Sequence, residues 1–239
     1  MAKTLRHDGR RADELRPVKI TPDFLRTADG SCLIETGLTR VVCTACFVEG
    51  VPGWLEGKGR GWVTAEYGML PASTIGRKSR PLSKPDGRSV EIQRIIGRVL
   101  RSVVRFEALG ERTIYLDCDV LEADGGTRTA SITGSYVALA RAVAKAASAG
   151  RCRPDALRGA VAAVSAGVVD GRTLLDLDYA EDSAAEVDMN VAMTSAGEYV
   201  EIQGSSEKEP FDNVELQRML RLTRRGIGKL LKFQQQAIQ

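Results

Sequence analysis

Apolar positions along the chain change period several times, and each change predicts an element. SCLIETGLTRVVCTACFVEG, Ser31 to Gly50, reads as two strands around a glycine-containing turn. WVTAEYGML, from Trp62, is a further short strand. Between Met69 and Arg88 the pattern dissolves into proline, glycine and basic residues, which predicts a long loop. SVEIQRIIGRVLRSVVRFEAL then carries a helical stripe of Ile92, Ile95, Ile96, Val99, Val103 and Phe106. A second stripe there, Arg94, Arg98, Arg101 and Arg105, reads mainly as a solvated helix face, with subunit contacts as the second choice. Arg88 stands apart, just before this helix. RTIYLDCDVLEADGG alternates as a strand, with Ile114, Leu116, Cys118 and Val120 on one face. The next helix is marked by Ile132, Tyr136, Leu139, Ala140 and Val143.

Gly150 to Pro154 reads as a linker, and a second half starts near Asp155. LRGAVAAVSAGVV and RTLLDLDY flank Asp170-Gly171, a hairpin signal. VDMNVAMT and EYVEIQG form another strand pair around Ser195-Ala196-Gly197. Asp212 and Glu215 supply a capping box for a closing helix carrying Leu216, Leu220, Ile227, Leu230 and Leu231. Each half offers strands followed by a helix. The order suits an α+β chain of two related units, although no repeat is visible in the sequence.

The length of 239 residues and a hydrophobic content of 43% suit one large domain or two small ones sharing a core. No apolar run is long enough to span a membrane, and the first eleven residues are polar and charged, so a soluble intracellular protein is expected. Five scattered cysteines fit a reducing compartment. Cys43 and Cys46 lie three apart on a predicted strand and so point to opposite faces, which favours buried strand residues over a shared metal. His7 is the single histidine and reads as a surface residue. A Ser-His-Asp triad, a Cys-His dyad or a multi-histidine zinc site would each have to use it.

The net charge is only +3, but it is unevenly spread. Arg77 to Arg105 holds nine basic residues against two acidic ones, and Asp170 to Asp188 holds seven acidic residues against Arg172 alone. The first stretch can attract a polyanion and the second can hold hard divalent cations. Two loops carry the candidate chemistry. In DGGTR, Asp124 to Arg128, glycines let main-chain N–H groups approach a ligand at the positive start of a helix. Thr127 adds a hydroxyl and Arg128 a fork of donors for phosphate. By itself such a loop serves geometry as readily as binding. In LLDLDYAEDSAAEVDMN, Asp182 and Asp188 would stand roughly 20 Å apart on one straight strand. If DSAAE is the bend of a hairpin, both carboxylates fold toward one point and can share Mg²⁺. The plainer reading is an acidic solubilising loop.

Together these segments carry a family resemblance. HDGRRADELRPVKI, KGRGWVTAEYGMLP, GRSVEIQRIIGR, LDCDVLEADGGTRTASITG and LLDLDYAEDSAAEVDMN resemble, in order, signature segments of the ribonuclease PH family. The resemblance covers nearly the whole chain. It implies an α+β fold of two βαβ-like halves, similar to ribosomal protein S5 domain 2, divided here at 1–150 and 151–239. It implies a cytoplasmic phosphate-dependent tRNA nucleotidyltransferase: a phosphorolytic 3′→5′ exoribonuclease that trims tRNA precursors and other RNA 3′ ends, releases nucleoside 5′-diphosphates and runs reversibly. It implies inorganic phosphate as co-substrate, held by Arg88, Gly126, Thr127 and Arg128. It also implies Mg²⁺ or Mn²⁺ at the catalytic Asp182 and Asp188, RNA contacts from Arg77 and Arg80, with Lys78 beside them, and a homohexamer built as a trimer of dimers. Ala72 stands where the family often has another arginine, which bears on RNA grip rather than chemistry. The rival readings are a catalytically silent RNA-binding ring subunit and a metal-dependent hydrolytic nuclease. A silent subunit would have little reason to keep Arg88, Gly126-Thr127-Arg128, Asp182 and Asp188 together.

Overall fold

The computed structural model describes residues 6–80, 86–208 and 210–239. Strands β1 (Val18–Pro22), β2 (Gly30–Thr36), β3 (Thr39–Glu49), β4 (Trp62–Met69) and β5 (Arg112–Glu122) form one sheet in the order β1-β2-β3-β5-β4. Strands β4 and β5 run parallel, and the other neighbours are antiparallel. A parallel pair needs a crossover, supplied by helices α1 (Gly87–Arg101) and α2 (Phe106–Leu109). A second, antiparallel sheet has the order β7 (Arg172–Leu175), β6 (Val161–Val169), β8 (Val187–Thr194), β9 (Tyr199–Ser206). The α+β class and the strands-then-helix order of each half are those the sequence predicts.

Helix α3 (Thr127–Ser148) joins the two sheets. Sixteen of its 22 residues are buried, so it is a core helix rather than an amphipathic one. Small residues let the backbones close up: a Cβ at Gly30 of β2 would lie 2.1 Å from the Ala138 carbonyl oxygen. Cys32, Cys43 and Cys118 form one row across β2, β3 and β5 facing this helix, while Cys46 is half-buried, as the strand reading requires. Strand β6 is buried on both faces. Val161 and Ala163 join the core around α3, and Ala162, Val164, Ala166 and Val168 join a second core with Met219, Ile227 and Leu230 of helix α5 (Asn213–Ile238). The expected Asp212–Glu215 capping box opens α5.

Three local expectations need correction. The long apolar stripe is not one helix: α1 stops at Arg101, and Val103 and Phe106 lie beyond it. Tertiary pairing ends it, because Val104 bridges to Leu157 and the Arg105 N–H donates to the Ala156 carbonyl at 2.8 Å. Arg88 lies in the first turn of α1 rather than before it. Residues Asp182 to Glu186 are not a hairpin bend. Tyr179–Ala184 form helix α4, started by a capping box of Asp178 and Glu181, and it crosses between β7 and β8, which sit on either side of β6. Of the basic loop, Lys84 lies outside the described residues.

The acidic stretch is also less solvated than its composition suggests. Asp176, Asp178 and Glu181 are buried, and their counter-charges come from the N-terminal segment, not from Arg77–Arg105. Arg6 forks onto Glu181 and donates to the Leu175 and Asp176 carbonyls at 2.7 and 3.0 Å. Arg10 reaches the Asp176 carbonyl at 2.8 Å and Glu181 at 3.4 Å. Arg16 forks onto the Asp176 carboxylate. His7 is 57% exposed and bonds Asp178 at 2.7 Å. His7, Asp178 and Glu181 offer ligand atoms within 4.8 Å of one another, but arginines already supply the positive charge there.

Because the Arg6–Glu181 pair is desolvated, Glu181→Ala would strand a buried cation and cost about 3–5 kcal/mol. Arg98→Ala, which removes an exposed pair with Glu201, should cost at most about 1 kcal/mol. Urea denaturation of the two variants checks this contrast, and equal losses would contradict it.

Candidate active site

The parallel pair fixes where the site lies. Strand β4 is followed in the chain by α1, and β5 leads through Ala123–Gly126 into α3, so both helices start at the carboxyl edge of the same two strands. That edge concentrates the partial positive charge of helix N-termini. The α3 start is shaped for an anion. Gly125 and Gly126 adopt left-handed φ of 71° and 64°, and no side chain caps the helix. Among the described residues, the main-chain N–H groups of Gly125, Gly126, Thr127, Arg128 and Thr129 have no acceptor. A run of unspent donors at a left-handed turn is an anion nest.

The side chains around it are tied to different elements. Thr127 shares a 2.9 Å hydrogen bond with the Tyr67 hydroxyl of β4. Burial pushes the Tyr67 phenol up, and the Thr127 hydrogen bond and the charges of Arg88 and Arg128 act against it. Arg128 donates to Gln203 of β9 and lies 3.4 Å from Glu91 of α1, while Gln203 donates to Glu91 at 2.8 Å. Glu91, Gln203 and Tyr67 are site residues that sequence reasoning missed. No periodicity flags them, because they come from three elements far apart in the chain.

The acidic limb meets the cradle at the backbone. A Cβ on Gly125 would lie 2.6 Å from the Asp178 carbonyl carbon and 2.8 Å from the Tyr179 nitrogen. The Tyr179 N–H donates to the Asp124 carboxylate at 3.3 Å. Glycine is therefore required at 125 both for its φ and for this close approach. On this support α4 places Asp182, and Asp188, the second residue of β8, lies opposite Gly167 of β6 and Ser205 of β9. Asp182 is therefore carried by a helix and not by a bend, and the Asp188 charge acts on its carboxyl. Desolvation and then the Asp188 charge push the Asp182 carboxyl above its usual range, against the pull of Arg88, Arg128 and Arg16. Desolvation and then Glu207 push Asp188 up, against its own main-chain N–H and Arg128. Among the described residues neither carboxylate takes a hydrogen bond or ion pair from another residue. Such a pair fits a hard divalent cation, which would relieve the repulsion.

Arg77, Lys78 and Arg80 are exposed on the loop between β4 and α1. Lys78 is near enough to the α1 start to lower the carboxyl of its cap, Asp86, whose largest stabilising contact is the Ser89 N–H. Ile75 of the same loop is fully exposed.

The fold agrees with comparisons to known proteins. Residues 14–145 match the model of the 3′ exoribonuclease family, domain 1, and residues 159–226 match domain 2 of that family. The chain is 58% identical over 231 residues to ribonuclease PH of Neisseria meningitidis serogroup C, covering 96% of each chain. It is likewise 58% identical to ribonuclease PH of Neisseria gonorrhoeae, with the same coverage. The fold is similar to that of rice Rrp46, with a TM-score of 0.79 and 17% identity over 98% of this chain and all of that one. It is also similar to a chain of the Archaeoglobus fulgidus exosome with RNA bound to the active site, with a TM-score of 0.80 and 23% identity over 96% and 92% of the two chains. On the strength of the two family matches and the near full-length relatives, this chain belongs to the ribonuclease PH family of phosphorolytic 3′ exoribonucleases.

Proposed function

We propose that inorganic phosphate, seated by Arg88, Gly126, Thr127 and Arg128, attacks the last phosphodiester of an RNA. A phosphate oxygen bonds to phosphorus, and the bond from that phosphorus to the 3′ oxygen of the preceding nucleotide breaks. A nucleoside 5′-diphosphate departs, leaving an RNA one nucleotide shorter with a free 3′ hydroxyl. The same steps reversed add a nucleotide to an RNA 3′ end. The observation that carries this reading is the run of unspent N–H donors at Gly125–Thr129, backed onto the segment that presents Asp182.

Phosphate is already an anion at neutral pH and needs no base to activate it. It needs alignment and relief from anion–anion repulsion, and Arg88 and Arg128 supply both. This suits a chain whose single histidine, His7, is bonded to Asp178 in the N-terminal network. Asp182 and Asp188 would hold Mg²⁺ or Mn²⁺, and when bound the ion offsets charge on the transferring phosphoryl group. In the alternative role Asp182 holds no metal, and its carboxyl, raised by desolvation and then by the Asp188 charge, gives a proton to the departing 3′ oxygen. Arg77, Lys78 and Arg80 would grip the RNA backbone, with tRNA precursors carrying 3′ extensions as the preferred substrate. A cytoplasmic homohexamer, a trimer of dimers, and a division at 1–150 and 151–239 complete the proposal. No helix among the described residues is long and apolar enough to cross a membrane.

With Mg²⁺ and an RNA bearing a 3′ extension, the released nucleotides should be diphosphates and should appear only when inorganic phosphate is added. Monophosphates released without phosphate would mean that water is the nucleophile and would defeat the proposal. Arg128→Ala removes a charge-assisted fork, about 1.5–3 kcal/mol, so phosphate half-saturation should rise roughly 10- to 150-fold. RNA affinity in a gel-shift assay should stay nearly unchanged, and its equal loss would count against the assignment. A third expectation concerns pH. The cation competes with protons for two carboxyls whose pKa values are raised, so its affinity should fall as pH drops through that raised range. Calorimetric titration of Mn²⁺ at several pH values tests this. Asp188→Asn should also move the Asp182 titration downward, because it removes a like charge.

A further inference from the structure

Arg16 belongs to neither of the two groups assigned above, yet it is bonded to the segments that carry both. Its guanidinium, 4% exposed, grips the Asp176 carboxylate through Nε at 3.2 Å and Nη2 at 2.7 Å, and its own main-chain N–H reaches the same group at 2.8 Å. Nη1 turns the other way and donates to the carbonyl oxygen of Asp124 and, at 3.4 Å, to that of Gly125. Thr39, fully buried at the start of β3, completes the hold. Its hydroxyl donates to the Gly125 carbonyl at 2.7 Å and accepts from the Asp124 N–H at 2.8 Å.

These contacts have a geometric consequence. In a trans peptide the C=O and the following N–H point to opposite sides, and the chain has no cis peptide among the described residues. Arg16 and Thr39 draw the Asp124 and Gly125 carbonyls inward. The N–H groups of Gly125 and Gly126 are thereby turned outward, and neither has an acceptor among the described residues. The other arm of Arg16 holds Asp176, a left-handed non-glycine residue at φ 55° where the chain leaves β7 for α4. The Arg16 charge is also among those that lower the Asp182 carboxyl.

We infer that Arg16 and Thr39 are positioning residues of the phosphate site. They aim the Gly125 and Gly126 amides at the anion from behind, and Arg16, through Asp176, sets the cradle against the segment that carries Asp182. One further main-chain donor, at Gly125, thus joins Gly126 among the phosphate ligands. The inference rests on the phosphorolytic reading of the site. Lysine cannot replace Arg16, since one ammonium cannot fork onto a carboxylate and hold two carbonyls on the opposite side.

Thr39 gives the cleaner test, because valine keeps its shape and loses both hydrogen bonds, whereas serine keeps the hydroxyl. The full chain is assayed for steady-state phosphorolysis, and binding of inorganic phosphate alone is followed by calorimetry. Thr39→Val should raise the phosphate KM and Kd at least fivefold, with kcat and the RNA KM within about twofold of wild type. Thr39→Ser should restore phosphate affinity to within twofold, and Arg16→Lys should weaken it more than tenfold. If Thr39→Val lowers the melting temperature while phosphate KM and Kd stay within twofold of wild type, the contacts are only structural and the inference falls. That result requires no folded Arg16 variant. A wild-type chain that releases monophosphates without phosphate would overturn the reading of the site, and this inference with it, before any variant is compared.

Discussion

Three arginines from the N-terminal segment and three carboxylates from Asp176 to Glu181 are buried together, and much of the architecture hangs on their pairing. Removing such charges from water costs several kcal/mol each, and only dense hydrogen bonding offsets it. The density is present: Arg6, Arg10 and Arg16 spend donors on main-chain carbonyls as well as on carboxylates. The main carbonyls they choose belong to the end of β7, where the chain leaves for α4, and to the cradle loop. The network therefore sets the relative placement of the two segments whose chemistry the proposed reaction combines. A hydrophobic substitute could fill the same volume, but it could not orient peptide groups.

The second constraint is α3. A helix that is apolar on nearly every side can serve two sheets at once, and the small residues along it let the β2 backbone approach closely. Its start is then left at the carboxyl edge of the parallel β4–β5 pair, beside the start of α1. Electrostatics at that edge has two signs. The helix starts, Arg88 and Arg128 supply positive potential, while the Asp188 charge raises the Asp182 carboxyl and the Glu207 charge raises that of Asp188. Anionic phosphate and a divalent cation are the complementary species for the two sides. Arg128, engaged by Gln203 and Glu91, sits between them and links α3, β9 and α1.

The sequence by itself determined the element types, because burial on one or two faces imposes a period that a single strand or helix displays along its length. β5 with Ile114, Leu116, Cys118 and Val120 inward, the Asp170-Gly171 hairpin and the Asp212–Glu215 cap were all legible in this way. The glycine turn of Gly126-Thr127-Arg128 before a helix was visible too, but by itself it left backbone geometry and anion binding equally open. Only the tertiary structure decided where α1 stops, because the Val104–Leu157 bridge joins residues 53 apart and leaves no local trace. It also decided that the acidic stretch is partly core, that α4 rather than a bend carries Asp182, and that Arg16, Thr39, Tyr67, Glu91 and Gln203 surround the cradle. Periodicity reports which face of an element is buried. It does not report which distant charge or hydroxyl meets that face, since such pairings depend on packing between elements and not on spacing within one.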